Sequence, residues 1–326
     1  MLSKADQPPA SPPDLRARIE TANGSMFQST VEQFLTSPTS DRYRGKVQLI
    51  FTSPPFPLNR KKAYGNSSGS EYLEWLSGLA PRLSEMLTPD GSIVIEIGNA
   101  WEPGIPSMST LSIEALLAFK QIGDLNLCQQ FVWQNPARLP SPIQWVNIKR
   151  VRVKDTFTHI WWMAPNVHPY ANNANVLQEY SDSMKELLRT RRYNYGRRPS
   201  EHVIGTTSFL TDNGGSIPGS VLTFSNTRSH DVYRRYCLSR NLSMHPARMP
   251  PELAAWFIRF LTREGDLVFD PFAGSCTTGE QAERLGRRWI GTEPNPDYVQ
   301  GARGRFLKEL GLPEPPKSPR SIAPVR

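Results

Sequence analysis

Cysteine is scarce in this chain: three among 326 residues, at Cys128, Cys237 and Cys276, none in CxxC spacing. That excludes a disulfide framework and a cysteine-built zinc centre, and it fits a reducing cytoplasm. No apolar run reaches the roughly 18 residues of a membrane span. No amino-terminal apolar segment resembles a signal peptide. No internal repeat marks a solenoid or a propeller. Acids are outnumbered, 30 Asp and Glu against 38 Lys and Arg, and the net charge of +8 favours a polyanionic partner such as nucleic acid. Proline is plentiful, and it is dense at both ends, as QPPASPP (7–13) and PEPPKSPRSIAPV (313–325). Polar Pro-rich segments bury too little apolar surface to order themselves. Residues 1–20 and 312–326 are therefore expected to be disordered tails.

Between the tails the pattern is one of alternating strands and helices. KVQLIFT (46–52) reads as a buried strand. Tyr72, Leu76, Leu79 and Leu83 recur at helical spacing and predict a helix over 71–87. Pro89-Asp90-Gly91 predicts a turn, and SIVIEIG (92–98) a strand. A helix over 110–122 and strands over 127–134 and 157–163 follow. Periodicity dissolves from about 166 to 243. It returns with a helix over 251–262 opening on Pro251, where a proline suits the first turn. A strand (267–270), a helix (277–285), a strand (288–293) and a final helix (297–310) complete the series. This alternation predicts an α/β fold, a mostly parallel, doubly wound sheet covered on both faces. The domain is discontinuous, 21–165 and 244–311, with 166–243 inserted.

Two motifs carry chemistry. The first is Thr52-Ser53-Pro54-Pro55-Phe56, at the carboxyl end of the 46–52 strand. Prolines fix φ and remove backbone donors, while their carbonyls still accept hydrogen bonds. The carboxyl ends of strands are where open α/β sheets bind ligands. Such a tip suits a flat ring with an amino group: oxygens take the amino hydrogens and the aromatic stacks. An ordinary turn beside a core phenylalanine is the alternative reading.

The second motif is LVFDPFAGSCTTG (267–279), a strand ending in Asp270, a turn through Gly274 and a helix start. The next strand ends in Glu293, placed to accept hydrogen bonds from both ribose hydroxyls of an adenosine. A P-loop needs a lysine where Glu280 stands, and a dinucleotide site prefers a glycine where Cys276 stands. Asp270 beside the turn repels pyrophosphate but suits the cationic amino-acid end of S-adenosyl-L-methionine, which is favoured as cofactor. A βαβ unit without a ligand is the alternative.

Together, TSPPF (52–56) and FDPFAGSCTTG (269–279) resemble the amino-methylating DNA methyltransferases, and more narrowly the N4-cytosine modification methylases of the PvuII type. The likeness runs from about Thr21 to Leu310. It includes LPSPIQWVN (139–147), RVKD (152–155), DNGGSIP (212–218) and HPARMP (245–250). It implies a methyltransferase sheet, mostly parallel with one antiparallel strand, with the catalytic motif preceding the cofactor motif. It implies methylation of duplex DNA at N4 of a flipped cytosine, in a bacterial cytoplasm and nucleoid, in a restriction–modification setting. Ser53, Pro54, Pro55 and Phe56 would form the catalytic tip, with Glu96 orienting Ser53 or the base, or serving as a structural carboxylate. Asp270, Pro271, Phe272, Gly274 and Ser275 would contact the cofactor, with Glu293 on the ribose and His245 and Pro246 near the methionine end. Thr30 stands where relatives hold an acid beside the adenine, which puts adenine recognition there in doubt. No metal is implied, because the cofactor carries an activated methyl group.

Adenine-N6 methylation by the same fold is the nearest alternative; adenine enzymes usually carry Asp where Ser53 stands, so Ser53 favours cytosine without excluding adenine. A DNA-binding protein that keeps the cofactor only as a ligand is another. C5-cytosine chemistry needs a nucleophilic thiolate, usually after proline, and the three cysteines follow Leu, Tyr and Ser. For DNA, basic side chains neutralise phosphates. The expected contacts are Arg60, Lys61 and Lys62 after the catalytic tip, and Lys149, Arg150 and Arg152. A cluster of Lys185, Arg189, Arg191, Arg192, Arg197 and Arg198, interleaved with Tyr193 and Tyr195, completes them. The bland alternative is a solvated surface.

Overall fold

The computed structural model describes residues 14–56, 69–227 and 231–316. Nine strands form one sheet: β1 (Ala17–Glu20), β2 (Gly24–Phe27), β3 (Val47–Thr52), β4 (Leu87–Gly98), β5 (Asn126–Gln134), β6 (Phe157–Ala164), β7 (Val221–Thr223), β8 (Leu267–Asp270) and β9 (Arg288–Thr292). Their order across the sheet is β1-β2-β9-β8-β3-β4-β6-β5-β7. From β2 to β4 every neighbouring pair is parallel. Strand β6 runs antiparallel to both its neighbours, as the resemblance implies. The hairpin strand β1 is antiparallel at the edge.

Helices cover both faces. On one side lie α1 (Val31–Thr36), α2 (Gly69–Met86) and α3 (Leu111–Ile122). Leu76, Leu79 and Leu83 of α2 and Phe119 of α3 join Ile93, Ile95 and Phe269 in one buried cluster. The chain also forms α4 (Asp182–Thr190), α5 (Val232–Ser239), α6 (Pro251–Leu261), α7 (Thr277–Arg284) and α8 (Pro296–Ala302). Phe257, Ile258 and Leu261 of α6 pack with Leu49, Phe51 and Val94 in a second cluster, on the other side. Each such side chain, fully buried, stabilises the fold by about 1.5–3 kcal/mol.

Four expectations are corrected. Residues 17–20 are an ordered strand, with Ile19 opposite Met26 and nearly inaccessible; four residues are too few for a period to show. The region 166–243 is not wholly an insertion, because β7 pairs with β5 and extends the main sheet. No turn separates α2 from β4. Pro89, Asp90 and Gly91 instead fall in an irregularity of β4, between the Val47–Leu87 and Leu49–Ser92 pairings. The final helix breaks after Ala302 into a short 3-10 turn, Arg303–Arg305. Gly304 lies against Tyr236, where a Cβ would stand 2.6 Å from the tyrosine's own, and glycine weakens a helix.

One consequence of the strand order positions the site. From β3 the chain crosses to β4 on one side, and from β8 it crosses to β9 on the other. Strands β3 and β8 are parallel neighbours, with Ile50 opposite Phe269. Their carboxyl ends therefore flank the point where the winding reverses, which is where a doubly wound sheet opens a crevice.

Candidate active site

The tips of β3 and β8 are joined by hydrogen bonds. The Thr52 hydroxyl donates to Asp270 Oδ1 at 2.7 Å and the Thr278 hydroxyl to Asp270 Oδ2 at 2.7 Å. The Phe272 N–H donates to Asp270 Oδ1 at 3.1 Å. Burial raises the Asp270 pKa to about 6, against the pull of these bonds. The carboxylate thus fastens the catalytic tip, the cofactor turn and the start of α7 to one another.

Beside it, Ser53 follows the pairing of Thr52 with Ile95, which brings it level with Glu96. The Ser53 hydroxyl donates to Glu96 Oε2 at 2.6 Å. Glu96 is 2 % exposed. Its other oxygen has no hydrogen-bond partner among the described residues, nor has the Thr158 hydroxyl. Burial pushes the Glu96 pKa up. The Phe56 ring packs against the end of β4: a Cβ at Gly98 would stand 2.7 Å from Phe56 Cε2. Only glycine lets the ring settle there.

The turn after β8 is held from two directions. The Gly274 N–H donates to Glu293 Oε2 at 3.1 Å, and the Asn295 N–H to Glu293 Oε1 at 2.9 Å. Burial raises the Glu293 pKa to about 7. Gly274 has φ 51°, and a Cβ there would meet His245 Nε2 at 2.9 Å. His245 packs edge-on to Tyr298, ring centroids 4.9 Å apart, and burial lowers its pKa to about 4, so the imidazole is neutral. From behind, Arg305 donates to the Ser275 carbonyl at 2.5 Å and to the Ser275 hydroxyl at 3.0 Å. Its remaining arm pairs with Glu280 at 2.7 Å, both side chains being nearly buried. Glu280, standing where a P-loop has lysine, thus holds the arginine that holds the loop.

These groups share one cavity of about 470 Å³. Ser53, Pro54, Pro55, Phe56 and Glu96 line it, and so do Thr30, His245, Asp270, Pro271, Phe272, Ser275 and Glu293. Gly274 is buried behind the wall. Pro246 is a correction: it is exposed and does not line the cavity, because only His245 of that pair turns inward. Thr30 uses its hydroxyl to cap α1, accepting the Gln33 N–H at 3.2 Å, while Gln33 accepts the Thr30 N–H at 3.1 Å. The acid on that wall is Glu32, which accepts the Trp75 indole N–H at 2.6 Å. Trp75 meets Phe272 edge-on at 5.6 Å. Trp133, Asn135, Arg138 and Asn226 complete the other end. Sequence reasoning missed Glu32, Trp75, Trp133, Asn135, Arg138 and Asn226 as wall residues. Only the capping box at 30–33 offered a signal, since it turns Thr30 into the helix and the next acid toward the wall.

The expected DNA contacts divide. Lys149, Arg150 and Arg152 are exposed between β5 and β6. Lys185 pairs with Glu179 at 2.5 Å, Arg189 with Glu186 at 2.5 Å and Arg197 with Glu201 at 3.3 Å, which offsets their charge locally. Arg198 donates to the Asn194 carbonyl at 3.0 Å. Arg191 and Arg192 are exposed. Arg60, Lys61 and Lys62 lie outside the described residues.

A reversal crevice that joins an acid-tipped adenosine-type turn to a rigid Ser-Pro-Pro-Phe tip has the layout of a group-transfer site for amino-bearing rings. The family model described as DNA methylase (N6 and N4) matches residues 47–303, and the chain belongs to that family. It is 42 % identical over 289 residues to the type II methyltransferase M.PvuII of Proteus hauseri, covering 88 % of this chain and 84 % of that one. It is 36 % identical over 258 residues to the DNA adenine methyltransferase YhdJ of Escherichia coli (strain K12), covering 78 % and 74 %. Among solved structures, the PvuII DNA methyltransferase (cytosine-N4-specific) superposes with TM-score 0.69 at 35 % identity, covering 88 % of this chain and 87 % of that one.

Proposed function

We propose that this protein methylates N4 of a cytosine flipped out of duplex DNA, with S-adenosyl-L-methionine as methyl donor. The observation that carries the reading is the Ser53–Glu96 hydrogen bond, which opens into the same cavity as Glu293. Because the Ser53 hydroxyl spends its proton on Glu96, its lone pairs are free to accept an amino hydrogen. The Pro54 carbonyl accepts the other. Held so, the amino nitrogen is drawn from planar toward sp³ geometry and its lone pair becomes available. Phe56, fixed against Gly98, stacks on the ring. The proton released from nitrogen after transfer passes through Ser53 to Glu96, whose burial favours the protonated form. The chief contribution is positioning.

The residues present fit the donor. Glu293 keeps free lone pairs on both oxygens for two ribose hydroxyls, Trp75 and Phe272 offer aromatic walls to the adenine, and Asp270 puts an acid near the amino-acid end. S-adenosyl-L-methionine, when bound, supplies a methyl group activated by a sulfonium centre. Ser at position 53 and the N4-specific solved relative favour cytosine over adenine. The type II relative supports a role as the modification partner of a restriction endonuclease, acting on DNA in the nucleoid. Among the described residues no helix is long and apolar enough to cross a membrane.

The test is to incubate the protein with the cofactor and unmethylated duplex DNA, digest to nucleosides and identify products by mass spectrometry. N4-methylcytosine is expected. N6-methyladenine alone overturns the base assignment, product on RNA alone overturns the substrate class, and cofactor binding without any product overturns the activity.

A further inference from the structure

The segment between β5 and β6 leaves the sheet at its carboxyl edge, beside the cavity. Its base is pinned: the Asn135 N–H donates to the Thr156 carbonyl at 2.8 Å, and the Asp155 N–H to the Ser141 carbonyl at 3.2 Å. Asn99 donates to Asp155 at 2.9 Å, and Arg138, a cavity wall residue, stands 4.0 Å from the same carboxylate. Beyond this base the segment exposes apolar side chains: Leu139 80 %, Ile143 63 %, Ile148 64 % and Val153 86 %. Lys149, Arg150, Arg152 and Lys154 lie among them, and no acid falls between 139 and 154. None of the four cations has an acidic partner among the described residues.

Large apolar side chains concentrated in one exposed segment of the chain mark a contact surface. Unpaired cations in the same segment specify a polyanion. Duplex DNA offers both at once, phosphates outside and an apolar base stack inside, and Leu or Ile wedges are known to enter base steps. Extruding a base costs a few kcal/mol and leaves a gap in the stack. Resting on the duplex-DNA reading above, we propose that this segment enters the duplex beside the target, its cations on phosphates. Leu139 and Val153, the apolar side chains next to the pinned base and the cavity wall, occupy the space that the flipped cytosine leaves.

The test compares the unaltered protein with a Leu139→Ser, Val153→Ser double variant in single-turnover methylation. Two duplexes carry the methylated site mapped on plasmid DNA: one with guanine opposite the target cytosine, one with an abasic position there. Both side chains are solvent-exposed, so folding is spared. On the paired duplex the variant is expected to be about tenfold slower, and on the abasic duplex, where no pair must open, within about twofold of the unaltered protein. An equal loss on both duplexes, or no loss on either, overturns the wedge. No product from the unaltered protein on either duplex removes the DNA-methylation reading itself, and the wedge with it.

Discussion

Replacing Arg305 with leucine tests how the cofactor turn is held. Its side chain is 6 % exposed and its partner Glu280 10 %. Three bonds are lost: one to Glu280 and two to Ser275. Leucine retains apolar contact near the Tyr233 ring that the guanidinium covers. Stranding one member of a buried pair costs about 3–5 kcal/mol. Arg284 remains 2.8 Å from the other Glu280 oxygen, but its side chain is 64 % exposed, and an exposed partner returns only about 0–1 kcal/mol. The expected loss is therefore about 3 kcal/mol, read as the difference in urea-unfolding free energy. Adding Glu280→Gln to this variant removes the stranded charge and is expected to restore about half of that loss. Cofactor affinity, measured by calorimetry, is expected to fall in the single variant because Ser275 loses two donors. A loss under about 1 kcal/mol, or a double variant no more stable than the single, would refute the reasoning.

Other expectations follow from the same geometry. Ser53→Ala removes the acceptor for the amino group, so turnover is expected to drop about 100-fold or more while cofactor affinity holds; normal turnover ends that assignment. Gly274→Ala forces a Cβ into the left-handed region and onto His245, and cofactor dissociation constants measured by calorimetry are expected to rise about tenfold. The carboxyl of Glu293 has its pKa raised from 4.5 to about 7 by burial, and Asp270 from 3.8 to about 6. The folded state therefore holds these protons longer than the unfolded chain, and their share of stability is lost as pH rises through those values. A ribose that hydrogen-bonds ionised Glu293 reverses that trend on binding. Cofactor affinity should accordingly increase from pH 6 to 8, with proton release detected as buffer-dependent binding enthalpy at about pH 6.5. A pH-independent affinity contradicts the ribose assignment.

The central strands were legible because β3, β8 and residues 92–98 of β4 are buried on both faces and rich in Val, Ile, Leu and Phe. Edge elements were not. The hairpin of β1 and β2 and the short β7 offer too few residues for any period, and tertiary pairing alone makes them strands. In the site, the two motifs themselves were readable, but their meeting was not readable from spacing. The Thr52–Asp270 bond joins positions 218 residues apart; the resemblance implied that the two motifs share one site, but not this bond. Glu32 escaped notice because the cap turns away and its second neighbour faces the wall. Three members of the basic cluster have acidic neighbours that spacing along the chain brings close. Glu186 and Arg189 are three apart on α4, a pairing that helical spacing allows, whereas Glu179 reaches Lys185 from outside the helix.

The lateral fastening of β3 to β8 also bears on how such chains are assembled. Ser53 and Asp270 line one cavity at a junction made by the neighbouring strands β3 and β8, not by the peptide that links them. Connectivity through the 166–243 stretch therefore contributes nothing to that meeting. The order in which a gene encodes the two halves is free to change, provided both strands still reach adjacent places in the sheet.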